Sequence, residues 1–334
     1  MVNKSRLLPA ERKRSRLVKV QATTDPHYGK KPEERGIIEI LSNGMVLIDK
    51  PSGPTSHQID AWVKDIIGND KVGHAGTLDP QVTGILPLGF GKATRALSVL
   101  VKAGKEYVAV MKLHKSVSKQ KVKEILNSFE GDIIQLPPVR SAVKRVKRKR
   151  RIYYIDFLEK EGNNVLFRVG CEAGTYIRTL CVDIGKKLGC GAHLDTLRRT
   201  KVGRFSEKQL ISLHDLKDAN MFWMENREKK WLQDIILVWE ELLHPLPVIV
   251  IRDSAVDAVC HGANLAIPGV VEVDTGIQRN DMVAIFTLKG EGVAIGHALS
   301  ATEEIIQKDT GLCAEINRVF MQKGTYPAIW KKHK

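Results

Sequence analysis

Gly73-His74-Ala75-Gly76-Thr77-Leu78-Asp79-Pro80-Gln81-Val82-Thr83-Gly84-Ile85-Leu86-Pro87 is the most unusual stretch of the chain. Its glycines at 73, 76 and 84 permit backbone conformations closed to other residues, and Pro80 fixes the chain just after Asp79. The segment holds one acid, one histidine and no other titrating side chain. Rigid, irregular loops that present a single carboxylate are where catalysis tends to sit. A tight structural turn capped by Asp79 would use the same residues, and loop chemistry alone leaves both readings open.

Just downstream, Gly89-Phe90-Gly91-Lys92-Ala93-Thr94 resembles a phosphate loop but fails its spacing twice. The first glycine would have to stand where Leu86 is, and Ser or Thr where Ala93 is. Upstream, Met45-Val46-Leu47-Ile48 reads as a buried strand stopped by Pro51-Ser52-Gly53-Pro54. Thr55 and Gln58 then fit a capping box for a helix whose apolar face is Ile59, Trp62, Val63, Ile66 and Ile67, closed by Gly68. A second helix is predicted from Ser118 to Glu130 and a third from Tyr176, stopped by Gly189. Strand-like runs at residues 107–111 and 164–169 lie between them. Strands and helices interleave without a regular βαβ rhythm, which predicts an α+β fold built on a mixed or antiparallel sheet.

A long helical stretch is expected from Asn220 to Leu243, running into His244-Pro245-Leu246-Pro247. That proline pair marks a domain boundary. Beyond it, short apolar runs alternate with Gly262, Gly269, Gly276, Gly290 and Gly292, the texture of a small β-barrel or sandwich. The expected organisation is a basic arm over residues 1–36 packed on the C-terminal domain, a catalytic domain over 37–246, a β-barrel domain over 247–327 and a basic tail over 328–334.

The chain has 334 residues and a formal net charge of +15. Such an excess points to a polyanionic partner, nucleic acid ahead of an anionic membrane surface. No apolar run approaches the length of a membrane span, and the charged N-terminus is no secretory signal. The five cysteines, an odd and sparse set, suit reduced thiols in a cytoplasmic compartment. Cys190 and His193 have metal-site spacing but no second pair beside them, so no metal site is expected. The densest charge, Lys144 to Arg151, lies mid-chain and reads as a mobile loop that grips phosphates.

Three segments in order carry a resemblance. Gly73 to Pro87 is similar to the first signature motif of the TruB-type pseudouridine synthases, whose G-T-L-D-P aspartate is catalytic. Lys105-Glu106-Tyr107 is similar to the motif whose tyrosine lies against the target base. Gly174 to Leu180 is similar to the motif whose arginine pairs with that aspartate. Asp49 to Ser56 matches the family's entry strand and loop. The arm with Asp25-Pro26-His27-Tyr28-Gly29, the spelling Gly53-Pro54-Thr55-Ser56-His57 and a C-terminal half resembling a PUA domain look like the dyskerin branch, in its compact archaeal form.

The resemblance implies an RNA pseudouridine synthase with Asp79, Tyr107 and Arg178 as its catalytic residues. Isomerising uridine means cutting N1–C1′, turning the uracil and joining C5 to C1′, which calls for a carboxylate beside the sugar and for no cofactor. Asp79 must be ionised, and the resemblance gives Arg178 the task of keeping it so. Tyr107 offers an aromatic face and a hydroxyl to a flipped uracil. His74 either wedges into the space the base leaves or stabilises its own loop. Tyr176 and Leu197 are expected as pocket walls, and Lys50 as support for the catalytic loop or a phosphate. Arg145, Lys147 and Arg148 belong to a loop, Arg140 to Arg151, similar to the family's RNA-clamping thumb loop. The implied partners are a box H/ACA guide RNA, ribosomal RNA as substrate with transfer RNA as a second candidate, and small accessory proteins, with no membrane. A stand-alone transfer RNA enzyme and a non-catalytic RNA-binding scaffold are the alternatives.

Overall fold

The computed structural model describes residues 6–138 and 144–328. It divides into two compact units, one of residues up to Arg12 with Met45–Ile235, the other of Lys13–Gly44 with the residues from Ile236 onward.

The first unit is built on a nine-stranded mixed sheet among the described residues. Its order is Met45–Lys50, Thr83–Phe90, Ala192–Val202, Lys105–Leu113, Asn164–Cys171, Arg148–Glu161 and Gly131–Gln135. Val72–His74 pairs with Thr83–Phe90, and Phe205–Ser206 with Ala192–Val202. Neighbouring strands run antiparallel except at one short joint, where Thr83 and Gly84 lie in parallel register with Arg198 and Arg199. Met45, Val46, Leu47 and Ile48 are all buried, as a continuous apolar run covered on both faces requires.

The helix Ser56–Ile67 forms where its capping signals stand. The Gln58 amide donates to Thr55 Oγ1 at 3.1 Å, the Thr55 amide donates to Gln58 Oε1 at 2.8 Å, and Gly68 closes the helix in the left-handed region. The helices Lys119–Asn127, capped by Ser118, and Ile177–Leu188, ended by left-handed Gly189, follow the same logic. They cover one face of the sheet, with Leu126, Leu180 and Ile184 packed among Met111, Ile155, Phe167 and Val169.

Two expectations are corrected. The helix expected over residues 220–243 is instead Leu213–Asn226, Lys230–Ile235 and a 3₁₀ turn, Trp239–Leu242. The first of these ends at Arg227, an arginine at φ +58° whose guanidinium lies over the Trp223 ring. No glycine or proline announces that break. The basic run is only partly a loop. Arg148–Glu161 is a strand, with Arg148 opposite Gln135 and Arg151 opposite Asp132. Asp132 draws in Lys149 at 2.8 Å and Arg151 at 3.7 Å, and Arg150 lies 3.6 Å from Glu172, so this half of the run has partners within the protein. Residues 140–143, like the lysines at 331, 332 and 334, lie outside the described residues.

The second unit has, among the described residues, a seven-stranded sheet in the order Arg16–Val18, Val270–Asp274, Val248–Ile251, Met282–Thr287, Gly292–Ala298, Leu312–Val319 and Leu265–Ala266. Leu17 of the N-terminal arm pairs with Val273. The core is aliphatic, with Ile249, Ile251, Val283, Ile285 and Val293 fully buried. The five cysteines are buried and none is in a disulfide. No helix among the described residues is long and apolar enough to cross a membrane.

Candidate active site

The loop between Val72–His74 and Thr83–Phe90 is held from four directions. The Ala75 amide donates to the Pro87 carbonyl at 2.9 Å, closing the loop on its own hairpin. Ser56, at the start of the helix Ser56–Ile67, accepts from the Leu78 amide at 2.9 Å and donates to the Leu78 carbonyl at 3.1 Å. The Val82 amide donates to the Asp79 carbonyl at 3.0 Å, a turn with Pro80 in its second position, where a fixed φ suits. Fully buried Lys50 donates to the carbonyls of Pro51, Pro80 and Val82 at 2.9, 2.8 and 2.9 Å, so all three ammonium protons are turned to the loops around Asp79. Burial pulls the Lys50 pKa down, and the nearby Asp79 charge pulls it up.

Beneath the loop lies Arg199, 1% exposed, which donates from Nε to the Ile85 carbonyl and from a terminal nitrogen to the Gly76 carbonyl, both at 2.8 Å. The parallel joint brings it there. Gly84 has φ +99°, and a Cβ at that position would lie 2.2 Å from the Arg199 carbonyl oxygen, so only glycine permits the approach. Lys105 stands on the same side. It is buried and donates to the carbonyls of Leu100, Val101 and Ala103, at the C-terminal end of the helix Ala93–Lys102. Burial, and next the Arg199 charge, bring its pKa down to about 7, while three carbonyls at the negative end of a helix dipole favour the ammonium.

On this scaffold the Asp79 carboxylate meets the Arg178 guanidinium at 2.5 Å, with the two side chains 61% and 57% exposed. Arg178 stands in the first turn of Ile177–Leu188, where the helix dipole adds to its positive field. The start of that helix is fixed by buried Gln135, which accepts from the Tyr176 amide at 3.0 Å and donates to the Tyr176 carbonyl at 3.1 Å. Tyr107 lies in the strand Lys105–Leu113. Burial pushes its phenol pKa up, the Arg199 guanidinium hydrogen-bonded to it pulls the other way, and the Asp79 charge adds to the rise.

The remaining candidates fall around this centre. Leu197 sits opposite Ala109 and packs, half-buried, against the core of the unit. The His74 side chain is only 7% exposed, with Nδ1 2.7 Å from Asp60 Oδ2 and Nε2 3.0 Å from Thr77 Oγ1, so in this structure both ring nitrogens hold the loop. Arg145 and Lys147 are exposed and Arg148 is half-buried. A cleft of about 390 Å³ joins Arg145 and Lys147 to Arg178 and Lys186 across Ile134 and Leu136. It therefore links the basic run to the cation that touches Asp79.

Arg199, Gln135 and Asp60 did not stand out in the sequence, Ser56 stood out only as part of the entry-loop match, and Lys105 only as part of the tyrosine motif. Arg198-Arg199 reads as two surface cations, although strand alternation sends one of them inward. The outward one, Arg198, pairs with Asp49 at 2.9 Å.

The comparisons with known proteins agree with this geometry. The family model for the TruB family pseudouridylate synthase N-terminal domain matches residues 64–177, and that for the tRNA pseudouridylate synthase B C-terminal domain matches 178–244. A PUA domain matches 247–320 and a DKCLD (NUC011) domain matches 6–60. A Methanopyrus kandleri protein named "Probable tRNA pseudouridine synthase B" is 53% identical over 98% of this chain and 97% of its own length. Its namesake from Pyrococcus furiosus is 49% identical over 98% and 97%. Among solved structures, a chain from a Cbf5–Nop10–Gar1 complex superimposes with a TM-score of 0.92 at 49% identity, covering 96% of this chain and 98% of that one. A chain from an H/ACA ribonucleoprotein bound to a substrate RNA containing 2′-deoxyuridine gives 0.91 at 47%, covering 97% and 100%.

Fold and relatives together define a pseudouridine synthase, an isomerase that acts on uridine within RNA. Within that class the chain belongs to the TruB family of pseudouridylate synthases, with a mixed α+β catalytic core and a C-terminal PUA domain.

Proposed function

We propose that Asp79 carries out the isomerisation, with Arg178 and Tyr107 as its catalytic partners, and that a box H/ACA guide RNA selects the target uridine. The observation that carries this reading is the exposed Asp79–Arg178 pair on a loop fastened from beneath by Lys50 and Arg199. An ion pair this exposed contributes only about 0–1 kcal/mol to stability, so its fixed position is better explained by chemistry.

As N1–C1′ opens, the Asp79 carboxylate meets the electron-poor C1′, either bonding to it or stabilising its developing charge. The uracil turns, C5 joins C1′ as any bond between Asp79 and C1′ breaks, the C5 proton leaves to solvent, and N1 takes up a proton in its place. Arg178 keeps the carboxylate ionised and aimed. Tyr107 serves as a stacking face and a neutral hydroxyl, and burial, which pushes its pKa up, further disfavours a phenolate. Lys50 supports the loop, Tyr176 and Leu197 wall the pocket, and His74 holds the loop's first residues. Arg145, Lys147 and Arg148 meet the phosphates along the cleft.

The guided reading rests on the two solved structures, one a complex with Nop10 and Gar1 and the other an H/ACA particle with substrate RNA. Ribosomal RNA is the proposed substrate, small accessory proteins are the proposed partners, and the cytoplasm is the proposed location. The relatives named as tRNA pseudouridine synthase B favour a second reading, in which the same Asp79 also serves a transfer RNA uridine without a guide.

Tritium release from RNA labelled at C5 of uridine tests both, using wild type and Asp79→Asn with and without a matching guide. Release that needs guide and Asp79 supports the guided enzyme. Guide-independent release from transfer RNA supports the second reading. Release that survives Asp79→Asn overturns the assignment of Asp79.

A further inference from the structure

Three side chains of metal-ligating type meet at the edge of the Asp79 loop, and of these only His74 has a part in the reading above, as a support of that loop. His57 and Asp60 lie one turn apart in the helix Ser56–Ile67, and His74 reaches them from the strand Val72–His74. One donor atom from each lies within 4.8 Å of the other two. His74 Nδ1 is 2.7 Å and His57 Nδ1 is 3.5 Å from the same carboxylate oxygen, Asp60 Oδ2. The two imidazoles stand edge to face at 5.1 Å.

We propose that His57, Asp60 and His74 form a binding site for a divalent cation of the zinc type. Two imidazoles and a carboxylate suit zinc and its first-row neighbours rather than magnesium or calcium. Zinc–donor bonds near 2.0–2.1 Å place tetrahedral donors about 3.3 Å apart. The His57–Asp60 separation of 3.5 Å is already close to this, the His74–Asp60 contact of 2.7 Å would open, and exposed His57 can adjust to close the third edge.

Two further features fit a cation. Asp60 Oδ1 is buried with no hydrogen-bond partner, an orphan acceptor that a cation or its bound water would satisfy. With Nδ1 as the metal ligand, His74 carries its proton on Nε2, which is 3.0 Å from Thr77 Oγ1 and can donate to it. That outer hydrogen bond would fix the ring for coordination. The His57 side chain is 82% exposed, so the open side of the site faces solvent and leaves the fourth position to water. A bound ion would tie the helix to the start of the loop at His74, five residues before Asp79.

The test is a titration of the untagged full-length chain with Co²⁺, read by its visible absorption and then by displacement with Zn²⁺. Wild type is compared with His57→Ala, Asp60→Asn and His193→Ala. The last removes the competing pair in which His114 Nε2 and His193 Nδ1 stand 2.9 Å apart. The expected result is one ion per chain, binding weakened by at least roughly tenfold in His57→Ala and Asp60→Asn, and no change in His193→Ala. Zinc should also raise the melting temperature of wild type and not of His57→Ala. Equal binding by wild type and His57→Ala, loss of binding in His193→Ala, or no stoichiometric binding each overturns the proposal. If Asp60→Asn does not fold, His57→Ala decides alone, because its exposed side chain adds little to the core.

Discussion

The Asp79 carboxylate and the Arg178 guanidinium are 99 positions apart in the chain and 2.5 Å apart in space. Each is the tip of a separately anchored element. Asp79 rides a loop held by Lys50, Ser56 and Arg199, and Arg178 rides a helix start clamped by Gln135. Rigidity on both sides fixes the charge pair at an exposed position, as the electrostatic role proposed for it requires.

If Arg178 serves the carboxylate rather than the RNA, Arg178→Ala should lower single-turnover rate by roughly 10²–10³-fold, the loss seen when a preorganised electrostatic partner is removed. RNA affinity, measured by filter binding, should change far less. Equal losses in both would make Arg178 a phosphate contact instead.

Gly84 and Gly53 both have positive φ, +99° and +113°, yet their surroundings differ. A Cβ at Gly84 strikes the Arg199 carbonyl, whereas one at Gly53 meets nothing within 4 Å. Gly53→Ala should cost about 1 kcal/mol of backbone strain. Gly84→Ala should cost more than about 3 kcal/mol, because the strand joint must part as well. Thermal melts of the two variants give the comparison, and equal shifts would refute it.

Lys105 makes stability depend on pH in a definite direction. Its folded pKa of about 7 lies below its ordinary value of 10.5. Between these values the unfolded chain holds a proton that the folded chain lacks, so this contribution to stability rises with pH. Below about 7 both states are protonated and the contribution stays flat at its least favourable level. Urea unfolding from about pH 7 to about pH 10 should show wild type gaining stability relative to Lys105→Met. A pH-independent gap between the two would mean that the helix carbonyls hold Lys105 charged throughout.

Arg145 and Lys147 are exposed beside the cleft, unlike the cations from 149 to 151, which have acidic partners. Replacing both with Gln should reduce the salt dependence of RNA binding by about one unit of slope for each lost phosphate contact. Replacing Lys149 and Arg151 instead should alter that slope less. The reverse ranking would move the RNA path to the strand.

The short-range features were legible before any coordinates. The capping box at Thr55–Gln58, the stops at Gly68 and Gly189 and the strand Met45–Lys50 rest on signals a few residues long. The resemblance also singled out Asp79, Tyr107 and Arg178. Folding put Asp79 and Arg178 in contact and set Tyr107 against Arg199. The missed features carry no glycine or proline signal. Arg227 ends a helix in the left-handed region, with its guanidinium over the ring of Trp223 one turn back. Arg148 opens a strand, because Gln135 lies opposite it and the flanking Asp132 pairs with the cations that follow.

Local sequence therefore determined the capped helices and the apolar strand before the loop, since turns, caps and apolar periods act within a few residues, but not the broken helix after Leu213 or the strand that starts at Arg148. Tertiary structure alone decided that Arg199 lies under the Asp79 loop, that Lys105 is buried beside it, and that His57, Asp60 and His74 converge. Each depends on strand register and helix packing between residues distant in sequence. A cation's role then follows from the carbonyls that the fold sets around it, which no local pattern encodes.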